Sequence, residues 1–532
     1  RPPLISTTPY RETLINWAAG FDALSLTDPN EVRLEMGDPL HAQPALVQYG
    51  GTSANPDMVA YVATNDGYLH AFDVDNGEEI FSFIPQELLS ELPSVMENLG
   101  GGKQYGLDGN VVAWIDDKNN NGKVDGSDRV YLYISMRRGG RDIYALDVTD
   151  RTSPELLWVI KGGTGRYQEL GETWSTVNVE KIKQGSTDKT VLVFGGGYDS
   201  SQDNASVTTP DGVGRTVYIA NAKTGQRMWS AKANSSTPDM DYSIPARVKP
   251  LDISGDGYMD RLYVADMGGQ IFRYDIDNHN GENVRKSITG ARIANLSGSG
   301  VAGARRFYYP PDVAVVDDKR GGKYHALVIS SGYRAHPLNE DIHDRIYMIK
   351  DKDTGYTISL TTNVTESDLH DATSNLAGGD AGVGAAAETI RDAELASIQG
   401  ADGWYIKLDD ETSPGSWLGE KGLAEPLIIE GIAIVTTYTP NAATTLNSCT
   451  PNIGGGKVFF LDLLDATPAY PQSVDKRPQR HSKLARGGIP PSPSVIITGG
   501  DDIVPTLCVG TECGAANLGL GVRKTYWHEV EK

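Results

Sequence analysis

Short runs of alternating residues cover most of the chain. In "YLHAFDV" from Tyr68, residues two apart fall on the same face of an extended backbone. Such runs end at Asp, Asn or Gly, which favour tight turns because Asp and Asn bond nearby amides and Gly accepts positive φ. This pattern predicts many short β-strands joined by turns.

One hairpin phrase recurs along the chain, consisting of an apolar strand, an Asp- or Asn-containing turn and a second strand. "GYLHAFDVDNGEEIFSF" is the clearest copy. Since the turn residues can bond backbone amides two residues on, each copy predicts a β-hairpin. The copies begin at Gly67, Arg141, Arg215, Gly269, Asp344 and Gly456.

Two further strands precede each hairpin, such as "HAQPALVQYG" from His41 and "VAYVATNDG" from Val59. Four strands per unit, repeated at intervals of roughly 45 to 80 residues, are typical of β-propeller blades. The sequence therefore predicts an all-β fold, a modified seven-bladed propeller with quinoprotein-like blades and a few helical insertions. The seventh unit, from Gly487, is degenerate. A pair of β-sandwiches is the alternative.

The expected organisation is a lead-in segment over residues 1–36 and a propeller over residues 37–532. "YRETLINWAAGFDALS" predicts a short helix in the lead-in, and "ETIRDAELASIQ" predicts a helix in an insertion over residues 363–403. The blades are expected at roughly 37–85, 104–160, 172–231, 242–286, 305–360, 402–470 and 482–532.

Charge limits the partners of the 532-residue chain. Asp and Glu number 70 against 48 Lys and Arg, for a net charge of −22. Such a chain repels nucleic acid and anionic membrane surfaces and suits surroundings rich in divalent cations. No apolar run approaches the roughly 20 residues that span a bilayer, so we expect no direct membrane insertion. Because the chain begins at Arg1 rather than Met, we expect a processed chain or a piece of a longer one.

The chain has three cysteines, Cys449, Cys508 and Cys513. The pair in "CVGTEC" lies close enough for a small disulfide-closed loop. The sequence leaves two alternatives, a disulfide formed in an oxidising compartment or three free thiols.

The stretch "DISGDGYMD" has the spacing of a calcium loop. Such loops supply oxygen ligands from positions 1, 3, 5, 7 and 9 or 12, with Gly at position 6 for the sharp turn and a backbone carbonyl at position 7. Position 6 is Gly257, and position 12 is Tyr263, so the usual bidentate acid is absent there. The predicted ligands are Asp252, Ser254, Asp256, Tyr258 through its carbonyl, and Asp260 in place of the missing acid.

A second, weaker candidate is "DKNNNGKVDGSD", which resembles the calcium loops of dockerins. Its pattern is fuller but its ligand charge is lower, because two of its first three ligands are neutral amides. For both stretches the alternative is an ordinary acidic turn between strands. The candidate ligands are Asp117, Asn119, Asn121, Lys123 through its carbonyl, Asp125 and Asp128.

Motifs for enzyme chemistry are weak. The hairpins resemble those of quinoprotein dehydrogenases, which hold pyrroloquinoline quinone and calcium and often carry adjacent cysteines, but this chain has no adjacent cysteines. "GGGYDSS" and "GGTGRY" lack the lysine and hydroxyl of a phosphate-binding loop, and no G-x-S-x-G elbow occurs. We expect a non-enzymatic protein, with a quinoprotein-like dehydrogenase as the alternative.

"LEMGDPLHAQPALVQYG" followed by "YVATNDGYLHAFDVDNGEEIFSFIP" resembles the C-terminal domain of the PilY family, large bacterial factors of type IV pilus biogenesis and adhesion. The resemblance continues through "LDISGDGYMDRLYVADMGGQIFRYD" and "ALVISSGYR". It implies a modified propeller whose calcium loop is the stretch from Asp252 to Asp260.

The same resemblance implies a cell-surface, pilus-associated location in a Gram-negative organism. It also implies roles in pilus assembly, in extension against retraction, in surface attachment and in twitching motility. The implied partners are pilus components, meaning major or minor pilins, and a host-surface receptor is a further candidate. We expect the loop to have two states, between which calcium selects, and so to tune contacts with pilus components. Besides this hypothesis and the dehydrogenase, a third hypothesis is an adhesin in which calcium is purely structural.

Overall fold

The structure is a computed structural model. It describes residues 10–25, 28, 30–52, 54–98, 102–231, 240–279, 284–318, 322–355, 363–410, 413–440, 453–469, 479–496 and 506–515. The chain forms two compact units. Unit 1 contains Arg1–Ile182, Thr187–Asp199 and Gly212–Ala233, and unit 2 contains Lys183–Ser186, Ser200–Asp211 and Asn234–Lys532.

Unit 1 carries three antiparallel sheets of four strands, in which neighbouring strands follow the chain order. The first sheet contains β1 (Ala45–Gly51), β2 (Pro56–Ala63), β3 (Leu69–Asp73) and β4 (Glu79–Phe83). The second contains β5 (Val111–Asp116), β6 (Arg129–Ser135), β7 (Ile143–Asp147) and β8 (Glu155–Ile160). The third contains β9 (Asn178–Gln184, of which Lys183 and Gln184 are assigned to unit 2), β10 (Thr187–Gly195), β11 (Val217–Asn221) and β12 (Arg227–Ser230).

The predicted hairpin turns form through the expected side chains. Between β3 and β4, the Oδ1 of Asp73 accepts the N–H of Asp75 at 2.9 Å, and Gly77 closes the turn with φ +76°. Between β11 and β12, the Oδ1 of Asn221 accepts the N–H of Lys223 at 3.0 Å. Local turn chemistry therefore sets these hairpins.

The predicted lead-in helix is confirmed as α1 (Tyr10–Ala18), with α2 (Leu92–Glu97) after the first sheet. Trp17 of α1 packs in one apolar cluster with Tyr68, Leu92 and Met96. Short 3-10 helices follow at Gln86–Ser90 and Gly165–Tyr167 in unit 1, and at Ser200–Asn204 and Glu366–Asp368 in unit 2.

Unit 2 carries four sheets. The fourth sheet of the chain contains β13 (Lys249–Leu251), β14 (Arg261–Ala265), β15 (Gln270–Ile276) and β16 (Ile288–Asn295), with β20 (Val364–Thr365) parallel to β16. The fifth contains β17 (Asp312–Asp318), β18 (Gly322–Ser330), β19 (Arg345–Asp351), β22 (Gly403–Lys407) and β21 (His370–Asp371). The sixth contains β23 (Lys421–Gly422), β24 (Leu427–Ile429), β25 (Ile432–Thr439), β26 (Gly455–Asp462) and β27 (His481–Lys483). The seventh contains β28 (Pro493–Ile496), β29 (Thr506–Val509) and β30 (Glu512–Ala515).

The helices of unit 2 are few and mostly short. They are α3 (Val284–Ser287), α4 (Gly300–Gly303), a π-helical turn (Leu376–Asp380) and α5 (Ala385–Gly400), which confirms the helix predicted in the insertion. Seven sheets with few helices among the described residues confirm the predicted class, an all-β, seven-bladed propeller.

The outer strands of the fourth, fifth and sixth sheets differ from expectation. The predicted blades 242–286, 305–360 and 402–470 place each fourth strand directly after its hairpin turn. Instead β15 pairs with β16, β19 with β22, and β26 with β27. Each fourth strand therefore reaches beyond the expected blade end.

Side-chain contacts explain the displaced strand of the fifth sheet. The buried ammonium of Lys350 in β19 donates at 3.0 to 3.1 Å to three carbonyls at the end of α5, those of Ile398, Gln399 and Ala401. A cation suits the unpaired carbonyls at a helix C-terminus. The chain leaving α5 is thereby held beside β19, where it continues as β22.

The other two displacements arise in the turns. After β15, the N–H of Asp277 bonds the carbonyl of Ser287 at 2.8 Å, so a wide connection replaces the predicted tight turn. After β26, the chain turns and Leu461 bridges Pro468, with the N–H of Ala469 donating to the carbonyl of Phe460 at 3.1 Å. The N–H of Phe460 donates instead to the carbonyl of Arg480 at 2.7 Å, and β27 follows as the outer strand of the sixth sheet.

The degenerate seventh sheet has three described strands, and its predicted last strand, "VRKTYWHEV" from Val522, lies outside the described residues. Cys508 and Cys513 face each other across β29 and β30 and are joined by a disulfide. The predicted small disulfide loop is confirmed, while Cys449 lies outside the described residues.

Candidate metal centre

The stretch from Asp252 to Asp260 connects β13 to β14, and we call it the β13–β14 loop. Leu251 pairs with Arg261, so these nine residues form the whole connection. The N–H of Asp260 donates to the carbonyl of Leu251 at 2.8 Å, and the carbonyl of Asp260 accepts the N–H of Ile276 at 2.8 Å. The last loop residue is therefore already tied into the sheet.

The exit of the loop is fixed by buried charge. The side chain of Arg261 is fully buried, and its Nε donates to the Oδ1 of Asp275 at 2.6 Å. Arg273 donates to both oxygens of the same carboxylate, at 3.0 and 2.6 Å. Because a buried charge is costly without its partner, this pairing holds the start of β14 in one position.

The carboxylate of Asp252 organises the first half of the loop. Its Oδ1 accepts the N–H groups of Gly255 and Asp256 at 2.7 and 3.2 Å, and its Oδ2 accepts the N–H of Gly257 at 2.7 Å. Gly255 and Gly257 have φ of +75° and +85°, a region that other residues rarely adopt. The two glycines let the backbone wrap around this carboxylate.

The carboxylate of Asp260 organises the second half and is only 6% exposed. Its Oδ2 accepts the N–H groups of Ile253 and Ser254 at 3.0 and 2.9 Å. Its Oδ1 accepts the side-chain amide of Asn278 at 3.0 Å. Asp260 thus folds back across the loop, as the sequence analysis required of a residue standing in for a missing acid.

Asn278 is a site residue that the sequence analysis did not select. It is buried, its amide also donates to the carbonyl of Met259 at 3.1 Å, and its Oδ1 accepts the N–H of Lys183 at 3.0 Å. In the sequence, Asn278 stands in "DIDNHNGEN" directly after β15, and this pattern predicts a hairpin turn. The side chain instead orients the Asp260 carboxylate.

The loop brings three carboxylates together. One oxygen each from Asp252, Asp256 and Asp260 lie within 4.8 Å of one another, and the first two side chains are exposed. None of the three forms an ion pair with another described residue. Clustered carboxylates repel one another, and hard divalent cations prefer such oxygens. The cluster could therefore hold a metal ion.

The remaining two predicted ligands lie beside this cluster. The hydroxyl of Ser254 donates to the Oδ1 of Asp252 at 3.3 Å, and the N–H of Tyr258 donates to the Oδ1 of Asp256 at 3.1 Å. The ammonium of Lys183 lies 4.3 Å from the centre of the Tyr258 ring. The side chains or N–H groups of all five predicted ligand residues are therefore linked by contacts within the loop.

The second candidate stretch, from Asp117 to Asp128, connects β5 to β6, and we call it the β5–β6 loop. The Oδ1 and Oδ2 of Asp117 accept the N–H groups of Asn119 and Gly122 at 3.1 and 2.9 Å. The Gly122 N–H, followed by further loop amides, lowers the pKa of the Asp117 carboxyl. This carboxylate plays the same part as Asp252, since it organises its turn.

The other carboxylates of the β5–β6 loop accept hydrogen bonds from groups of the same loop. The side-chain amides of Asn119 and Asn121 donate to the two oxygens of Asp125 at 2.9 and 2.8 Å. The buried Asp128 accepts the N–H groups of Lys118 and Asp125 at 2.8 and 3.0 Å. Lys123, the predicted carbonyl ligand, donates its N–H to the Oδ1 of Asn121 at 2.8 Å.

The two loops therefore differ in their acidic clusters. Within the described ranges, the side chains grouped closely enough to hold a metal ion lie in the β13–β14 loop, and they are Asp252, Asp256 and Asp260. Among the described helices, none is both long and apolar enough to cross a membrane.

Sequence comparison relates the chain to pilus proteins. A profile of the family described as "PilY1 beta-propeller domain" matches residues 39–373. The type IV pilus biogenesis factor PilY1 of Pseudomonas aeruginosa is 26% identical over 88% of this chain and 41% of its own length. A PilY1 homolog of Xylella fastidiosa is 24% identical over 80% of this chain and 33% of its own length. The chain thus spans about two fifths or less of these relatives.

Structural comparison points to the same fold. The crystal structure of the Pseudomonas aeruginosa PilY1 C-terminal domain superposes with a TM-score of 0.58. The sequences are 20% identical, and the match covers 86% of this chain and 91% of that domain.

Proposed function

The chain belongs to the PilY1 β-propeller domain family, and from that premise we propose that it is the calcium-binding, non-enzymatic domain of a type IV pilus biogenesis factor. The observation that carries the calcium proposal is the convergence of Asp252, Asp256 and Asp260 within 4.8 Å. The loop lies inside the segment matched by the family profile, residues 39–373. The relatives are named biogenesis factors, which supports a non-enzymatic role.

In this proposal each loop residue has a distinct task. Asp252, Asp256 and Asp260 supply carboxylate oxygens, the Ser254 hydroxyl adds a neutral oxygen, and Tyr258 contributes its carbonyl. Calcium accepts six to eight oxygen ligands at flexible geometry, so a set that lacks an acid at position 12 still suits it. Asn278 and the loop amides hold the carboxylates in place before the ion arrives.

Loss of the ion changes the balance of forces in the loop. Two carboxylates at this separation near a protein surface repel each other by on the order of 1 to 4 kcal/mol. The exposed Asp256 moves away most easily, because Asp252 and Asp260 are tied to loop amides. The loop therefore has an ordered and a loosened state, and calcium selects the ordered one.

We assign this switch to contacts with pilus components. Major or minor pilins are the proposed partners, and a host-surface receptor is a further one. The proposed location is the cell surface and the pilus fraction. Ordering of the loop would change those contacts and so shift the balance between pilus extension and retraction, with effects on attachment and twitching motility.

Asp256→Ala is the most suitable variant, because this exposed side chain accepts one loop N–H and contributes little to folding. We expect calorimetric titration to detect one calcium ion in the parent and at least about tenfold weaker binding in the variant. Asp125→Ala in the β5–β6 loop is the matched control and should bind like the parent.

Pilus assembly and motility are then measured with the same two variants in the full-length protein. We expect altered pilus number or twitching for Asp256→Ala and parental behaviour for Asp125→Ala. Parental calcium binding by Asp256→Ala refutes the site. Weakened binding with parental pili and motility refutes the regulatory role and leaves calcium structural.

A further inference from the structure

A cavity of about 170 Å³ lies in unit 2 near the starts of β13, β17, β24 and β28, which belong to four successive sheets. Arg247 and Lys249 line it from the start of β13, and Asp312 lines it from the start of β17. Glu425 precedes β24, and Ser492 precedes β28. The β13–β14 loop follows the other end of β13, so the cavity is a separate feature of the same sheet.

Two ion pairs cross this cavity. The Nη2 of Arg247 lies 2.8 Å from the Oε2 of Glu425, and the Nζ of Lys249 lies 2.7 Å from the Oδ1 of Asp312. The Oδ2 of Asp312 also accepts the N–H of Ile428 at 2.6 Å. The four charges sum to zero, so the lining favours neither a simple anion nor a simple cation.

Several polar groups of the lining retain bonding capacity. Ser492 accepts the N–H of Glu425 at 2.9 Å through its Oγ, and its hydroxyl proton can still donate. Among the described residues, the second oxygen of Glu425 and the remaining N–H groups of Arg247 have no partner. Their side chains are 31% and 41% exposed, so a ligand from solvent can reach them.

The walls between these groups are rigid and apolar. Four prolines, from the segments before the strands and from the strand starts, line the cavity together with Leu427: Pro310, Pro311, Pro426 and Pro493. A proline has no N–H and a fixed φ, so such walls are preformed and offer no donors. Recognition is concentrated at the ion pairs, as in small-molecule sites with a few placed polar groups on apolar walls.

We propose that this cavity binds a small zwitterion, a free α-amino acid. A lone carboxylate entering the cavity would face Glu425 and Asp312, and a lone ammonium would face Arg247 and Lys249. A molecule that carries both groups directs its carboxylate to Arg247 and Ser492 and its ammonium to Glu425. A small side chain then rests against the prolines.

The chemistry is tested by calorimetry or ligand-observed NMR with free alanine, valine, proline and serine at up to 10 mM. Matched probes are N-acetylalanine, which lacks the ammonium, and alaninamide, which lacks the carboxylate. We expect one-to-one binding of at least one free amino acid and at least tenfold weaker binding of both blocked probes. Absence of binding by all four amino acids, or equal binding of a blocked probe, overturns the proposal.

The location is tested with the double variant Arg247→Gln and Glu425→Gln, which keeps the net charge. We expect at least tenfold weaker amino-acid binding with unchanged circular dichroism. Arg247→Lys, which keeps the charge but not the planar guanidinium, is the milder variant should the double one fail to fold, and we expect it to bind more weakly too. Asp256→Ala should retain amino-acid binding, which separates this proposal from the calcium site. Parental binding by a folded Arg247 variant places the ligand elsewhere and overturns it.

Discussion

The β5–β6 loop and the β13–β14 loop share a spacing but differ in what their acids contact. In both, the first Asp accepts backbone N–H groups and shapes the turn. In the β5–β6 loop, two asparagine amides occupy the Asp125 carboxylate. In the β13–β14 loop, position 5 is an acid, Asp256, and three carboxylates converge.

This difference shows that a shared ligand spacing does not by itself bring carboxylates together. An amide at position 3 or 5 supplies a donor as well as an acceptor, and so it can satisfy a neighbouring carboxylate within the protein. A carboxylate at the same position only accepts. At position 5 the β13–β14 loop therefore has a carboxylate where the β5–β6 loop has an amide that donates to Asp125.

The largest expected contrast comes from removing the buried acid of each loop. Asp260→Ala deletes a proposed ligand and leaves the N–H groups of Ile253 and Ser254 without an acceptor, which should cost about 1 to 3 kcal/mol of unfolding free energy. We expect calcium binding to fall at least about 100-fold. Asp128→Ala should cost similar stability without changing calcium binding.

Calorimetry and denaturant unfolding of both variants measure these two effects. A loss of calcium binding in Asp128→Ala, with parental binding in Asp260→Ala, would reverse the assignment of the loops.

Calcium itself should stabilise unit 2 through the β13–β14 loop. At about 100 times the dissociation constant, binding to the folded state adds about 2.7 kcal/mol to the unfolding free energy. We expect a chelator to lower the melting temperature of the parent and to leave that of Asp260→Ala unchanged. Differential scanning calorimetry with and without calcium checks this, and magnesium serves as the control ion.

Asn278→Ala tests whether the loop is organised from outside. It removes the amide that donates to Asp260 and Met259, so the buried carboxylate loses one of its three donors. We expect about tenfold weaker calcium binding, which corresponds to about 1.4 kcal/mol. Asn221→Ala, a hairpin-turn residue of unit 1, is the matched control. Parental calcium affinity in Asn278→Ala would show that the loop holds its carboxylates unaided.

Asn121→Asp should make the β5–β6 loop more like the β13–β14 loop, because it places an acid at position 5. The substitution removes one amide donor of Asp125 and adds a fourth acid to Asp117, Asp125 and Asp128, which should cost about 1 kcal/mol of stability without calcium. We expect calorimetry to detect a second, weaker calcium site in this variant. An unchanged stoichiometry would mean that position 5 does not account for the difference between the loops.

The smallest expected effect is a pH dependence of the β5–β6 loop. The Gly122 N–H lowers the pKa of the Asp117 carboxyl, so this group favours the folded loop above the ordinary Asp pKa of about 4. That contribution is lost as the pH falls through the lowered folded-state pKa. An NMR titration should show the Gly122 amide signal moving only below about pH 4. Movement at higher pH would contradict the assigned hydrogen bond.

Much of the fold was predictable because the hairpin turns are set by local side chains. Asp73 and Asn221 bond amides two residues on, and the sequence displays that chemistry directly. The outer strands of the fourth, fifth and sixth sheets were not predictable in this way. Their positions depend on distant contacts, such as those of Lys350 with α5 and of Phe460 with Arg480.

The same division applies to the candidate metal centre. The spacing from Asp252 to Asp260 predicts the loop and its acids, because they are neighbours in sequence. Asn278 could not be predicted, since it is 18 residues from Asp260 and its local pattern indicates a turn. The internal bonding of Asp125 was equally hidden, because spacing does not reveal which way an asparagine amide points.

The insertion in the fifth sheet has a consequence for how the chain tolerates changes of length. It departs after β19 and returns at β22, where Ile349 lies directly opposite Gly403 and the N–H of Lys350 meets the carbonyl of Asp402 at 2.9 Å. A segment whose two ends are neighbours in one sheet can lengthen or shorten without moving the flanking strands. Changes of length in exposed parts of this segment can therefore leave the pairing of β19 with β22 in place.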